Sequence, residues 1–132
     1  MKYKLILLLL LFGVLIIFFK NKYFKSSNFY QFRIDDKTYN LLTAKNQDEW
    51  EKGLMFYKNK KELNGADGMI FIFPDKKIRY FWNKNTYLDL DVYWLADEKI
   101  IGKDYLPSVL KTKNPYVISS KEKVNKVVEI IK

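Results

Sequence analysis

Lys84, Asn85 and Thr86 interrupt two apolar runs in "FWNKNTYLDLDV", residues 81–92, and set an ammonium, an amide and a hydroxyl side by side. A lysine supplies a point charge for an anionic group, and an asparagine side chain donates and accepts at once. Asp91 follows on the next apolar run and could serve as a counter-charge to Lys84. Asp89 and Asp91 lie two residues apart, so on a strand their carboxylates share one face about 6–7 Å apart. Such a pair could do acid/base work on a glycosidic bond or hold a hard cation such as calcium. Plainer readings stand beside these. Asn-Lys-Asn-Thr can be a hairpin corner, or Asn85 and Thr86 can satisfy buried backbone groups beside an aromatic wall. Alternating acids are also the usual wet face of an amphipathic strand.

What else could take part is limited by composition. The 132 residues contain no Cys and no His, which removes thiolate nucleophiles, disulfides, a lipoprotein-type cysteine and the commonest general base and metal ligand. Chemistry would have to run on Asp, Glu, Lys or Tyr. No cofactor and no metal site is expected, and the balance leans away from an enzyme. The net charge is +9, with 24 Lys and Arg against 15 Asp and Glu. Five of those lysines (Lys2, Lys4, Lys20, Lys22 and Lys25) flank an apolar run near the N-terminus, and the remaining charges are interspersed. This is an ordinary surface without a phosphate-tracking stripe, so no nucleic-acid partner is expected.

The elements that must position these groups read mainly as strands. "FYQFRI" alternates, and Asp35-Asp36-Lys37 turns it into "TYNLL", which predicts a hairpin over 29–42. Asn46, with Glu49 three residues later, has the form of a capping box for one short helix through "QDEWEK". Gly53 would stop that helix, and Trp50 and Leu54 would face the core. "LNGADG" carries two turn signals. "MIFIF", residues 69–73, reads as a strand covered on both sides and ended by Pro74. Residues 78–82 read as another strand. In "LDLDVYWL", Leu88, Leu90, Val92 and Trp94 share one face. Ala96–Lys99 turns into "IIG". "VNKVVEII" fits helical spacing, but its β-branched content favours a strand. Phe71, Phe73, Phe81, Trp82 and Trp94 read most simply as core. The sum is about seven short strands and one short helix: a compact closed barrel or jelly-roll-like sandwich.

Ahead of this domain lies an uncharged run, Leu5–Phe19, of roughly 22 Å as a helix. Counted from Tyr3 to Phe24, with interfacial aromatics and snorkelling lysines, the span reaches about 33 Å, enough for a bilayer core. No small-x-small cleavage pattern follows it, so an uncleaved signal anchor is expected rather than a signal peptide. The expected organisation is a transmembrane segment over 1–25, a linker over 26–28 and a β-domain over 29–132. Flanking charge is nearly balanced. The very short N-terminal tail favours leaving the domain outside the cytoplasm of a prokaryotic cell.

Three stretches, "GLMF" (53–56), "DGMIFIFP" (67–74) and "FWNKNTYLDLDV" (81–92), in this order and spacing resemble the family known as domain of unknown function 192. The resemblance covers roughly residues 29–131 and implies a compact, mainly β, jelly-roll-like fold. It implies no activity, because the family has none established. The family usually has Met where this chain has Asn83, and Pro where it has Asp89. Members commonly continue past the last strand, whereas "VVEIIK" ends at Lys132.

These readings converge on a membrane-anchored extracytoplasmic domain that binds a small ligand or an envelope partner without catalysis, through Lys84, Asn85, Thr86 and Asp91. The alternative is a glycan hydrolase using Asp91 with Asp89 or Lys84.

Overall fold

The computed structural model describes residues 29–132. The expected anchor and linker lie outside the described residues, among which no helix is long and apolar enough to cross a membrane. The chain folds as a mainly β half-barrel with one short helix. Strands β1 (Tyr30–Ile34) and β2 (Lys37–Ala44) form the expected antiparallel hairpin. Helix α1 (Gln47–Lys52) follows, then a 3-10 turn over Lys60–Leu63. The rest is β3 (Gly68–Lys77), β4 (Tyr80–Trp82), β5 (Leu90–Ala96), β6 (Lys99–Leu106), β7 (Val117–Ser119) and β8 (Val124–Ile131).

Six strands form one sheet in the order β1-β2-β3-β8-β5-β6, and β4 pairs with β7 in a separate ribbon. The expected mainly β, barrel-like fold holds in this coarser form, but the barrel is not closed: the large sheet is open, with β1 and β6 at its edges. β2 and β3 are parallel, so a crossover must join them, and α1 with the 3-10 turn supplies it. The ends of α1 follow the sequence signals. Asn46 Oδ1 accepts from Glu49 N at 3.1 Å. The Glu49 carboxylate reaches back to Lys45 N, one residue before the cap, at 2.6 Å. Gly53 closes the helix at φ 46°, with its N–H on Glu49 O.

"MIFIF" is covered on both faces, as its unbroken apolar character requires. Met69, Phe71 and Phe73 join Leu88, Leu90, Val92, Trp94 and Val127 in the larger core. Ile70 packs with Phe32, Leu41, Leu95, Val128 and Ile130 on the other face. Pro74 does not end this strand. β3 continues to Lys77 through a register shift after Ile72, and such a bulge spares the N–H that proline lacks. "VNKVVEII" is a central strand, antiparallel to both β3 and β5. At its closest approach to β3 only glycine fits, because a Cβ at Gly68 would overlap the Glu129 carbonyl oxygen. β7 was not anticipated, since three residues carry too little periodicity to be seen.

Candidate functional site

The polar break after β4 is a turn between two sheets, not a hairpin corner: β4 pairs with β7, while β5 pairs with β6 and β8. Thr86 N donates to Asn83 O at 3.0 Å, and Asn85 adopts φ 53°, a left-handed conformation that asparagine tolerates better than most residues. Asn83 is 0% exposed. Its Nδ2 donates to Pro107 O at 2.9 Å and Thr112 Oγ1 at 3.1 Å, and its Oδ1 accepts from Tyr116 N at 2.7 Å. The departure from the family's usual Met is thus a buried amide that ties the 107–116 segment to β4. Asn85 O accepts from Phe56 N at 2.8 Å, and Thr86 O from Val109 N at 2.9 Å. Much of the polarity in this turn satisfies backbone, as buried polar groups require.

Of the four residues singled out from sequence, three stay together in this turn. Lys84 is exposed, with its ammonium 5.0 Å from the centroid of the Trp82 ring. Asn85 is half-buried, and Thr86 is buried. Asp91 does not join them. It pairs across strands with Ile130, on the face opposite the larger core, and its ion-pair partners are Lys103 at 3.0 Å and Lys132 at 3.7 Å. The bond to Asp91 is the main reason the Lys103 ammonium titrates above its ordinary value. Asp89 accepts from Lys111 Nζ, from Tyr105 Oη at 2.6 Å and from Ser108 N at 3.1 Å. These donors, Lys111 first, lower its pKa to about 2. An acid held so firmly as a carboxylate is a poor proton donor.

The residue that sequence reasoning missed is Glu129, in the middle of β8. It lies opposite Met69 and Val92, so its side chain faces the larger core. It is 4% exposed. No donor among the described residues bonds its carboxyl, and burial alone pushes its pKa up to about 8. A signal existed: on a strand, Glu129 shares the face of Val127, which makes it an inward-pointing acid.

Glu129 forms part of the wall of a pit of about 40 Å³, together with Trp50, Gly53, Met55, Phe71, Phe81, Trp82 and Thr86. Glu51 and Lys52 of α1 are the other charged residues around it. Trp50, Glu51, Met55, Phe81 and Trp82 also line an open groove of about 730 Å³, which continues past Phe73, Ile78 and Tyr80. Two aromatics of this groove are held outward: Tyr80 is 71% exposed and Trp82 47%. The expectation that Trp82 is core therefore fails, because three-residue β4 has only β7 as a partner and leaves one face open. Phe71, Phe73 and Trp94 are buried as expected. Arg79 closes the far end, with its guanidinium 3.9 Å from the Phe73 ring centroid and Nη2 bonded to Asp75 Oδ1 at 2.6 Å. Neither Asp89 nor Asp91 lines the pit or the groove. Among the described residues no cluster of three or more acids could hold a metal ion.

Fold and site together define a small half-barrel domain with a buried acid in a pit beside an aromatic groove. The chain belongs to the family of domain of unknown function 192, described as an uncharacterized ACR, whose model matches residues 30–132. It is similar to a crystal structure of "a putative transcription regulator" from Sinorhizobium meliloti 1021, at 26% identity and a TM-score of 0.59, covering 76% of each chain. It is also similar to a crystal structure of a protein of unknown function from Novosphingobium aromaticivorans DSM 12444, at 25% identity and a TM-score of 0.58, covering 71% of this chain and 64% of that one. No curated protein matches the chain.

Proposed function

We propose that the protein is a membrane-anchored, extracytoplasmic module that binds a small ligand in the groove leading to Glu129, without catalysing a reaction on it. One observation carries this reading: a carboxyl 4% exposed and unbonded by any described residue lines a small pit that shares Trp50, Glu51, Met55, Phe81 and Trp82 with an aromatic groove. A buried polar group without a partner is costly, and a ligand that supplied one would recover that cost. Aromatic walls with a few polar groups among them, here Glu129 and Thr86 in the pit and Arg79 in the groove, are the usual form of a small-molecule site. Of the turn singled out from sequence, Thr86 contributes to the pit and the Lys84 ammonium lies 5.0 Å from the centroid of the Trp82 ring, whereas Asn85 lines neither the pit nor the groove. Nor does Asp91, on the opposite face. The anchor rests on the uncharged run Leu5–Phe19 and its flanking lysines.

The test is a thermal-shift screen of the full chain in nonionic detergent against small amines, sugars and carboxylic acids. At least one class should raise the melting temperature, and Trp82→Ala should abolish that rise. A flat screen, with Glu129→Gln behaving as wild type in cells, would overturn the reading. For the anchor, protease added to intact spheroplasts should digest the domain, whereas recovery of the chain in the soluble fraction would refute it.

A further inference from the structure

Resting on that reading, we infer that the pit accepts the primary ammonium group of a small amine whose apolar body lies along the groove. The argument starts from what Glu129 lacks. Its carboxyl has no donor among the described residues, so an occupant that supplies hydrogen-bond donors would satisfy its ionised form. An anionic group could pair only with the protonated carboxyl and would be repelled once Glu129 ionises. The pit is small, about 40 Å³, which suits a compact polar head such as an ammonium group. The walls agree. Trp50, Phe71, Phe81 and Trp82 surround the pit, and aromatic faces attract cations through their quadrupoles. Trp82 already receives one ammonium, that of Lys84. The remaining charges, Glu51 and Lys52, come from α1 and are both exposed, so they offset each other in solvent while Glu129 is shielded from it. Beyond the pit, Met55, Ile78 and Tyr80 offer apolar surface for a flat or aliphatic body, and the Arg79 guanidinium covers Phe73.

Binding of a charged amine then expels the proton that Glu129 holds at neutral pH. The carboxylate and the ammonium pair, and the proton leaves to the buffer. Affinity therefore rises with pH until Glu129 is ionised without help.

Isothermal titration of the full chain in nonionic detergent with phenethylamine tests this. Its Kd should fall about tenfold per pH unit from pH 5.5 to 7.5 and level off above pH 8. Repeating the titration in buffers of different ionisation enthalpy should show about one proton released per ligand at pH 6 and almost none at pH 9. Glu129→Gln should bind about thirtyfold more weakly at pH 8, without pH dependence. Trp82→Ala, at an exposed position that leaves the core intact, should weaken binding with the proton release unchanged. Two control ligands separate the failures. If 2-phenylethanol binds as well as the amine and without pH dependence, the groove is a site but the ammonium assignment is wrong. If neither binds, both this inference and the binding role fall. A lysine-bearing tripeptide that binds far more tightly than phenethylamine would replace the small amine with a protein side chain and overturn the inference as stated.

Discussion

Glu129 and Asp91, on opposite faces of the large sheet, are held in opposite ways. Toward the larger core, Glu129 sits 4% exposed and unbonded by any described residue, and burial raises its pKa to about 8. On the other side, Asp91 meets Lys103 and Lys132. At the entrance to β5, Asp89 takes three donors and falls to about 2. The contrast separates two purposes. Paired acids at the rim fasten β6, the 108–111 turn and the chain end to β5. An unpaired buried acid fastens nothing and weakens the fold, which agrees with the binding role proposed for it.

The largest effect that sharpens this contrast is the pH response of Glu129. Its folded pKa lies above the unfolded carboxyl value of about 4.3, so between the two the folded state holds a proton that the unfolded state has released. Stability therefore falls as pH rises through this window, on the order of 1 kcal/mol per pH unit, and stops falling above about pH 8. Glu129→Gln removes the titrating group. It should melt about 5 °C or more above wild type at pH 8.5, with the gap closing toward pH 4. Calorimetry across that range measures it, and parallel curves for the two proteins would mean that the carboxyl finds a partner.

Asp89 should give a smaller effect of opposite sign. Its folded pKa is depressed, so its contribution is complete above the unfolded value of about 3.9 and disappears as pH falls through about 2. Asp89→Asn should cost about 1 kcal/mol at pH 7, since its ion pair is partly open to solvent. The cost should vanish near pH 2, as urea unfolding at both pH values will show. An equal cost at both would assign the effect to packing instead of charge.

How much of this was legible beforehand follows from the kind of signal each element carries. The β1–β2 hairpin, the capped helix and the shared face of Leu88, Leu90, Val92 and Trp94 were readable because periodicity and capping are local. The double covering of "MIFIF" was readable for the same reason. The sheet order was not: β8 inserts between β3 and β5 across more than forty residues of sequence from β3, and pairing at that range leaves no local mark. Pro74 misled because a bulge absorbed it. The residues of the turn at 83–86 read alike from sequence. Only the fold shows that Asn83 and the backbone at Asn85 are structural ties, while Thr86 reaches the pit. Glu129 was overlooked because "VNKVVEII" left the choice of strand or helix open, and an inward-facing acid is recognisable only once the period is fixed at two.

The smallest expected effect tests the separation of the faces most sharply. Asp91→Asn loses two ion pairs, to Lys103 on β6 and Lys132 beyond β8, in each of which the lysine is about half exposed. Such pairs contribute roughly 0.5 kcal/mol and are screened by salt. The variant should therefore melt slightly below wild type in dilute buffer and match it in about 1 M salt. Ligand affinity is the more telling measurement. Asp91 points away from the pit, across the thickness of the sheet, so Asp91→Asn should leave both the Kd and its pH dependence unchanged, whereas Glu129→Gln removes them. A loss of binding in Asp91→Asn comparable to that in Glu129→Gln would couple the two faces, and the paired acids could no longer be regarded as fasteners alone.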